Sequence, residues 1–252
     1  ESVADKLHTL QVLAGAKLPI PKTILGKFPA DVDLVERELG FPVVVKKLRG
    51  TRGAGVVLCN SRGDFDDLAN LLDGATAASD FLFQQYIKTS HGRDVRVLVI
   101  DGKVVAAMER KSTDGGFKSN ISLGGSAKAF TPPPEMAALA VKVAHELKLD
   151  IAGIDILFDS DGYKICEANS APGFQGLERA CDIDVPEMVF LAMGKKFGLP
   201  IRHSERWEKA IENAARAMFG PLSAPTKDLV GAFEKPLAVR PRRKRKPAPN
   251  GA

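Results

Sequence analysis

The stretch Gly153-Ile154-Asp155-Ile156-Leu157-Phe158-Asp159-Ser160-Asp161-Gly162-Tyr163-Lys164-Ile165-Cys166-Glu167-Ala168-Asn169 reads as a β-hairpin. Ile, Leu, Phe, Tyr and Cys alternate with other residues on both arms, around a turn rich in Asp, Ser and Gly. A three-residue loop, Ser160-Asp161-Gly162 with Gly162 left-handed, would pair Asp159 with Tyr163, Leu157 with Ile165 and Asp155 with Glu167. Two carboxylates then stand side by side, and the two-residue period of a strand sets Asn169 on the same face as Glu167. Three oxygen ligands without thiol or imidazole suit Mg²⁺ or Mn²⁺ and do not suit structural zinc. Two alternatives stay open here: Asp155 and Glu167 pair with Lys or Arg, or another register turns one of them to solvent. The physical ground for a metal is that adjacent carboxylates on an apolar hairpin repel unless a cation lies between them. Hard-metal sites of this kind commonly hold a substrate phosphate.

Outward from the hairpin, the chain alternates short strands and helices. Residues 5–16 carry Leu7, Leu10 and Ala14 at helical spacing, with Gly15 and Pro19 marking the end. A second helix is expected over 31–39, closed by Gly40, then a Val-rich strand over 42–48. The Gly-rich segment 50–55 lies between that strand and the next, 56–59, whereas a Walker A loop or a dinucleotide fingerprint lies between a strand and a helix. It reads as a flap whose backbone N–H groups could cover phosphates. Phe65, Leu68, Ala69 and Leu72 form a helical stripe, and 81–87 returns to strand. Residues 94–100 and 104–110 flank an Asp101-Gly102 turn, a strong hairpin signal, with Asp94, Arg96 and Leu98 on one face. A polar loop, 113–125, leads to a helix over 134–147 with Met136, Leu139, Ala140, Val143 and Leu147 inward. His145 reads as a surface residue. Beyond Asn169 come a loop, a helix over 186–196, and a stripe of Trp207, Ile211, Ala214, Ala215 and Met218 behind a Ser204 cap.

Composition bounds the function classes. At 252 residues and 44% hydrophobic content the chain can build a sizeable core, and no apolar run approaches a membrane span. The first residues have neither the basic start nor the apolar run of a signal peptide. Cys59, Cys166 and Cys181 lack metal or redox spacing and read as reduced thiols of a cytoplasmic protein. The net charge of +5 belongs to one place: Arg240, Arg242, Arg243, Lys244, Arg245 and Lys246 supply six of the 36 basic residues, leaving a near-neutral body against 31 acidic ones. A Pro-bounded basic tail of this kind is expected to be disordered, and reads as a solvated terminus, a nuclear-import signal or an arm for an acidic macromolecule.

Six ordered motifs carry a family resemblance: 42–46 (PVVVK), 84–88 (QQYIK), 92–96 (GRDVR), 117–120 (FKSN), 153–155 (GID) and 167–173 (EANSAPG). They resemble the ATP-grasp carboxylate-amine ligases of the RimK type. Residues 90–96 (SHGRDVR) and 112–115 (STDG), with Ser119-Asn120, are most similar to the N-acetylaspartylglutamate and β-citrylglutamate synthases. Residues 169–173 (NSAPG) are similar instead to the bacterial enzymes that add glutamates to a ribosomal-protein carboxyl terminus.

The resemblance implies an α+β ATP-grasp fold in which two α+β subdomains, 1–90 and 91–198, clamp ATP, followed by a helical extension (199–222) and the basic tail (223–252). It covers about residues 5 to 198, without the pre-ATP-grasp domain of the family. It further implies that Lys46 reaches the phosphates and that Gln84, Gln85, Tyr86, Ile87 and Lys88 form the adenine hinge. Asp94 would lie beside the nucleotide, at the ribose, and Lys118, Ser119 and Asn120 would contact phosphate or substrate. Asp155, Glu167 and Asn169 would hold one or two Mg²⁺ (or Mn²⁺) ions. Arg110 and Arg96 would serve the transferred phosphoryl group; the alternative for each is a structural salt bridge. The implied reaction joins the glutamate amine to a carboxylate acceptor, a small acid or a peptide terminus, through an acyl phosphate. A homo-oligomer is compatible with it. The competing reading of another class is a non-catalytic nucleotide-binding scaffold acting through the carboxyl-terminal helix and tail.

Overall fold

The computed structural model describes residues 5–48, 55–72, 79–119 and 124–198. Its first elements are α1 (Lys6–Gly15), β1 (Thr23–Gly26), α2 (Val32–Leu39), β2 (Val43–Lys47), β3 (Val56–Cys59), α3 (Arg62–Leu72) and β4 (Phe81–Gln85). After a short 3-10 turn at Lys88–Ser90 come β5 (Arg93–Ile100), β6 (Lys103–Lys111), β7 (Ser126–Ala129), α4 (Pro134–Glu146), β8 (Ile151–Asp159), β9 (Gly162–Asn169), α5 (Gln175–Cys181) and α6 (Val185–Phe197). The strands form two antiparallel sheets, ordered β1-β4-β2-β3 and β7-β6-β5-β8-β9.

Alternation along the strands sorts side chains between core and cleft. In the first sheet Val43, Val45, Phe81 and Phe83 pack under α2 and α3 with Val35 and Phe65, while Val44, Lys46, Leu82 and Gln84 face the other way. The second sheet is covered on both faces. Val95, Val97, Val99, Ala152, Ile154 and Ile156 meet α4, and Leu98, Ile100, Ala106 and Met108 meet α5 and α6. The even-numbered side of β5 that buries Leu98 also carries Asp94 and Arg96 toward the sheet's open end.

The helix expected over 5–16 forms, but a different face is buried. Thr9 and Leu13 are the buried residues of α1, and Ala14 is exposed. Leu13 and Leu18 join the core of the second sheet, so α1 packs with the unit that sequence order alone would assign to residues after 90. The sequence pattern does not predict the short strands β1 and β7 or the helix α5. Each is too short for a period to declare itself, and β1 exists because it adds to the edge of β4.

The central hairpin differs from its expected register in an instructive way. Asp159 pairs with Gly162 across a two-residue Ser160-Asp161 turn, Phe158 with Tyr163, and Ile156 with Ile165, one step away from the three-residue-loop register. A bulge between Asp155 and Ile156 then absorbs Cys166, and Asp155 still pairs with Glu167. The expected neighbours stand, by a different route. Residues 50–54 of the flap, Asn120, and the expected extension and tail after 198 lie outside the described residues.

Candidate active site

A cleft of about 1000 Å³ opens between the inner face of the first sheet and the polar end of the second. Of the residues expected at the site, Lys46, Gln84, Gln85, Tyr86, Ile87, Asp94, Arg96, Arg110, Lys118, Ser119, Asp155, Glu167 and Asn169 line it. Lys88 does not: it opens the 3-10 turn with its side chain exposed. The hinge between the sheets is tied down, since Thr89 Oγ1 donates to Phe158 O (2.6 Å) and Ser90 Oγ accepts from Phe158 N (3.0 Å).

The second sheet contributes a buried chain of alternating charge. Asp94 lies directly across from Arg110, and Arg96 directly across from Asp155. Arg110 Nε donates to Asp94 Oδ1 at 2.7 Å and Nη2 to Oδ2, and the same Nη2 stands 3.0 Å from Asp155 Oδ2. Arg96 grips Asp155 with Nε and Nη2 at 2.7 and 2.8 Å. The set is neutral, and its forked geometry is what a guanidinium offers and an ammonium does not. Burial would push Asp155 up, but Arg110 and Arg96 outweigh it and hold the carboxyl at about 2. Asp94 meets one guanidinium and is deeply buried beside Asp155, so burial wins and its carboxyl rises above the ordinary range. Burial would lower Arg110, yet Asp155 and Asp94 together raise it.

This geometry bears on two expectations. Asp94, expected at the ribose, has both carboxylate oxygens engaged by Arg110 and a further hydrogen bond with Ser119, so it braces the guanidinium. The neighbouring carboxylates Asp155 and Glu167 do find cations, but these are side chains: two guanidiniums for Asp155, and for Glu167 the Lys6 ammonium, 2.6 Å from Oε1. Asn169 Nδ2 reaches Gly153 O at 3.4 Å. Among the described residues no group of three or more His, Cys, Asp or Glu is placed to hold a metal. Two carboxylates and an amide still have the donor chemistry of a hard cation that keeps several waters and takes its remaining ligands from nucleotide phosphates.

On the opposite wall Lys46 Nζ is held by Gln84 Oε1 at 2.6 Å, and Gln84 Nε2 in turn donates to Thr23 Oγ1 at 2.9 Å. Gln84, expected at the adenine hinge, thus aims the lysine with its side chain. Lys46 also lies 3.7 Å from Cys166 Sγ, a contact between the two sheets. Burial pushes the Cys166 thiol up. Strict alternation would turn Cys166 away from Glu167; the bulge brings both to the cleft, and nothing in the sequence announces it. Gly153 has a comparable local reason: a Cβ there would sit 2.5 Å from Pro172 Cβ, so glycine lets the 170–174 loop fold down beside Arg96.

A family model described as RimK-like ATP-grasp domain matches residues 3–192. A probable alpha-L-glutamate ligase of Sodalis glossinidius (strain morsitans) is 41% identical over 186 residues, 73% of this chain and 62% of that protein. The ribosomal protein bS6--L-glutamate ligase of Escherichia coli O1:K1 / APEC is 39% identical over 191 residues, 73% of this chain and 63% of that protein. This chain therefore spans less than two thirds of the length of these curated relatives. In three dimensions it is similar to the ATP-grasp ligase PsnB, solved with a phosphomimetic variant of its minimal precursor, Mg and ADP. The TM-score is 0.60 at 24% identity, over 77% of this chain and 59% of that one, a likeness of fold.

Proposed function

This chain belongs to the RimK-like ATP-grasp family, and from that premise we propose that it is an ATP-dependent ligase that joins the amine of glutamate to a substrate carboxylate through an acyl phosphate. The observation that carries the reading is a cleft rich in cationic groups and poor in nucleophiles. Lys46 stands on one wall and Arg96 and Arg110 on the other, all held by hydrogen-bonding partners. Burial pushes the thiol of the cleft-lining Cys166 up, which disfavours the nucleophilic thiolate. Ser90 is occupied by Arg93 O and Phe158 N, and Ser119 by Asp94. A reaction in which the substrate carboxylate is itself the nucleophile needs no other.

In that reaction a carboxylate oxygen attacks the γ-phosphorus, the bond to the bridging oxygen breaks, and ADP leaves. The glutamate amine then attacks the acyl carbon, loses its proton and expels inorganic phosphate. Lys46 serves as a point charge on the phosphates, and Arg110 and Arg96 stabilise charge on the transferred group from fixed positions. A divalent ion held by Asp155, Glu167 and Asn169 would neutralise polyphosphate charge. Glutamate as the amine is supported by the names of the two relatives, and a protein or peptide terminus as acceptor by the bS6 ligase. ATP with Mg²⁺ is supported by the ADP and Mg bound to PsnB. Among the described residues no helix is long and apolar enough to cross a membrane.

The test is incubation with ATP, Mg²⁺, glutamate and a panel of carboxylates, read by product mass, with oxygen-18 in the acceptor carboxylate. Label appearing in released phosphate, together with ADP, is the expected result. Release of AMP and pyrophosphate would place the chemistry in an adenylating class and end this reading.

A further inference from the structure

Lys6 opens α1, and its ammonium reaches Glu167 Oε1 inside the cleft at 2.6 Å. Most surface lysines sample many rotamers and hold their partners weakly. This one stands on a braced turn. Asp5 caps the helix, accepting from Leu7 N at 2.9 Å and His8 N at 3.1 Å, and Thr9 Oγ1 donates to Asp5 O at 3.0 Å. Two turns in, Leu13 is 1% exposed in the core shared with α4 and the second sheet. The pair itself is partly covered, with side chains 24% and 38% exposed. The neighbouring carboxylate, Asp155, is answered by two guanidiniums; Glu167 is answered by this helix.

We propose that Lys6 is a positioning residue that holds the Glu167 carboxylate and competes with a divalent cation for it, so that metal enters the cleft with the nucleotide and not ahead of it. The inference rests on reading Asp155, Glu167 and Asn169 as the metal's oxygen ligands. An ion bound to Oε1 at about 2.1 Å would share that oxygen with an ammonium already in contact, and the two cations repel at such range. Mg²⁺ also gives up water reluctantly, so a carboxylate that is already neutralised offers the free ion little. A polyphosphate changes the balance, because its negative charge offsets both cations.

The probe is Mn²⁺ alone, titrated into the full chain without nucleotide, with free ion followed by electron paramagnetic resonance. Lys6→Met keeps the methylene packing and removes the charge; it is expected to tighten Mn²⁺ binding about threefold to tenfold. Lys6→Arg keeps a cation and is expected to bind as wild type does. Lys6→Ala repeats the experiment should Met disturb the helix, which circular dichroism would show. Glu167→Gln separates the two layers of the reading. If it weakens Mn²⁺ binding while Lys6→Met and Lys6→Ala bind no more tightly than wild type, the role of Lys6 is overturned and the metal assignment stands. If Glu167→Gln leaves Mn²⁺ binding unchanged, the metal assignment fails, and the inference with it.

Discussion

At the scale of single residues, the division of labour between Asp94 and Asp155 shapes the site. Both are buried acids on one sheet face, yet Asp155 is shared between two guanidiniums whereas Asp94 spends both oxygens on Arg110. Under the proposed reaction, Asp94 is expected to act through Arg110. Asp94→Asn should leave Arg110 paired with Asp155 but loosely aimed, lowering kcat about tenfold or more while KM for ATP stays within about twofold. The stability cost should be about 1–3 kcal/mol, since a charge-assisted fork becomes a weaker contact. Steady-state kinetics decide the matter. A large rise in KM for ATP with kcat preserved would return Asp94 to the ribose. The same close view adds a second task for Gln84, whose side chain is committed to Lys46 and Thr23 while its backbone remains at the expected hinge.

At the scale of elements, α1 and the β8–β9 hairpin show how far local pattern carries. The stripe Leu7, Leu10 and Ala14 names a helix correctly, but the buried face is that of Thr9 and Leu13, because the docking partner selects which of several apolar positions turns inward. Leu13→Ala should cost about 2–4 kcal/mol through the cavity it opens between α1, α4 and the second sheet. Urea denaturation followed by circular dichroism measures it; a loss under about 0.5 kcal/mol would mean that α1 is not part of the second core. In the hairpin, composition declares two strands and a turn, while loop length and bulge are set by the ladder as a whole. The three-residue loop that the sequence predicts is one residue longer than the turn observed, the bulge adds one residue back, and Asp155 pairs with Glu167.

At the scale of the whole molecule, two antiparallel sheets face each other across a cleft whose lining, among the described residues, all precedes residue 177. Because the excess charge is confined to 240–246, we expect deletion of residues 236–252 to leave turnover of a small carboxylate largely intact. Should the acceptor be an acidic macromolecule, the same deletion lowers association with it, and the difference shrinks as salt rises. A small-molecule activity that collapses on truncation would refute the separation of tail from cleft. What is local in range was legible in the residues alone: the Asp31 and Gly40 boundaries of α2, the Asp101-Gly102 hairpin, the two strands and turn that carry Asp155 and Glu167, and the oxygen-only character of that pair. The register that sets Asp155 beside Glu167, and the cations these carboxylates meet, came from packing in three dimensions. Arg96 lies 59 residues from Asp155, and Lys6 lies 161 residues from Glu167. No periodicity spans such distances, because ion pairs between remote segments follow from how sheets and helices pack and not from the spacing of residues along either one.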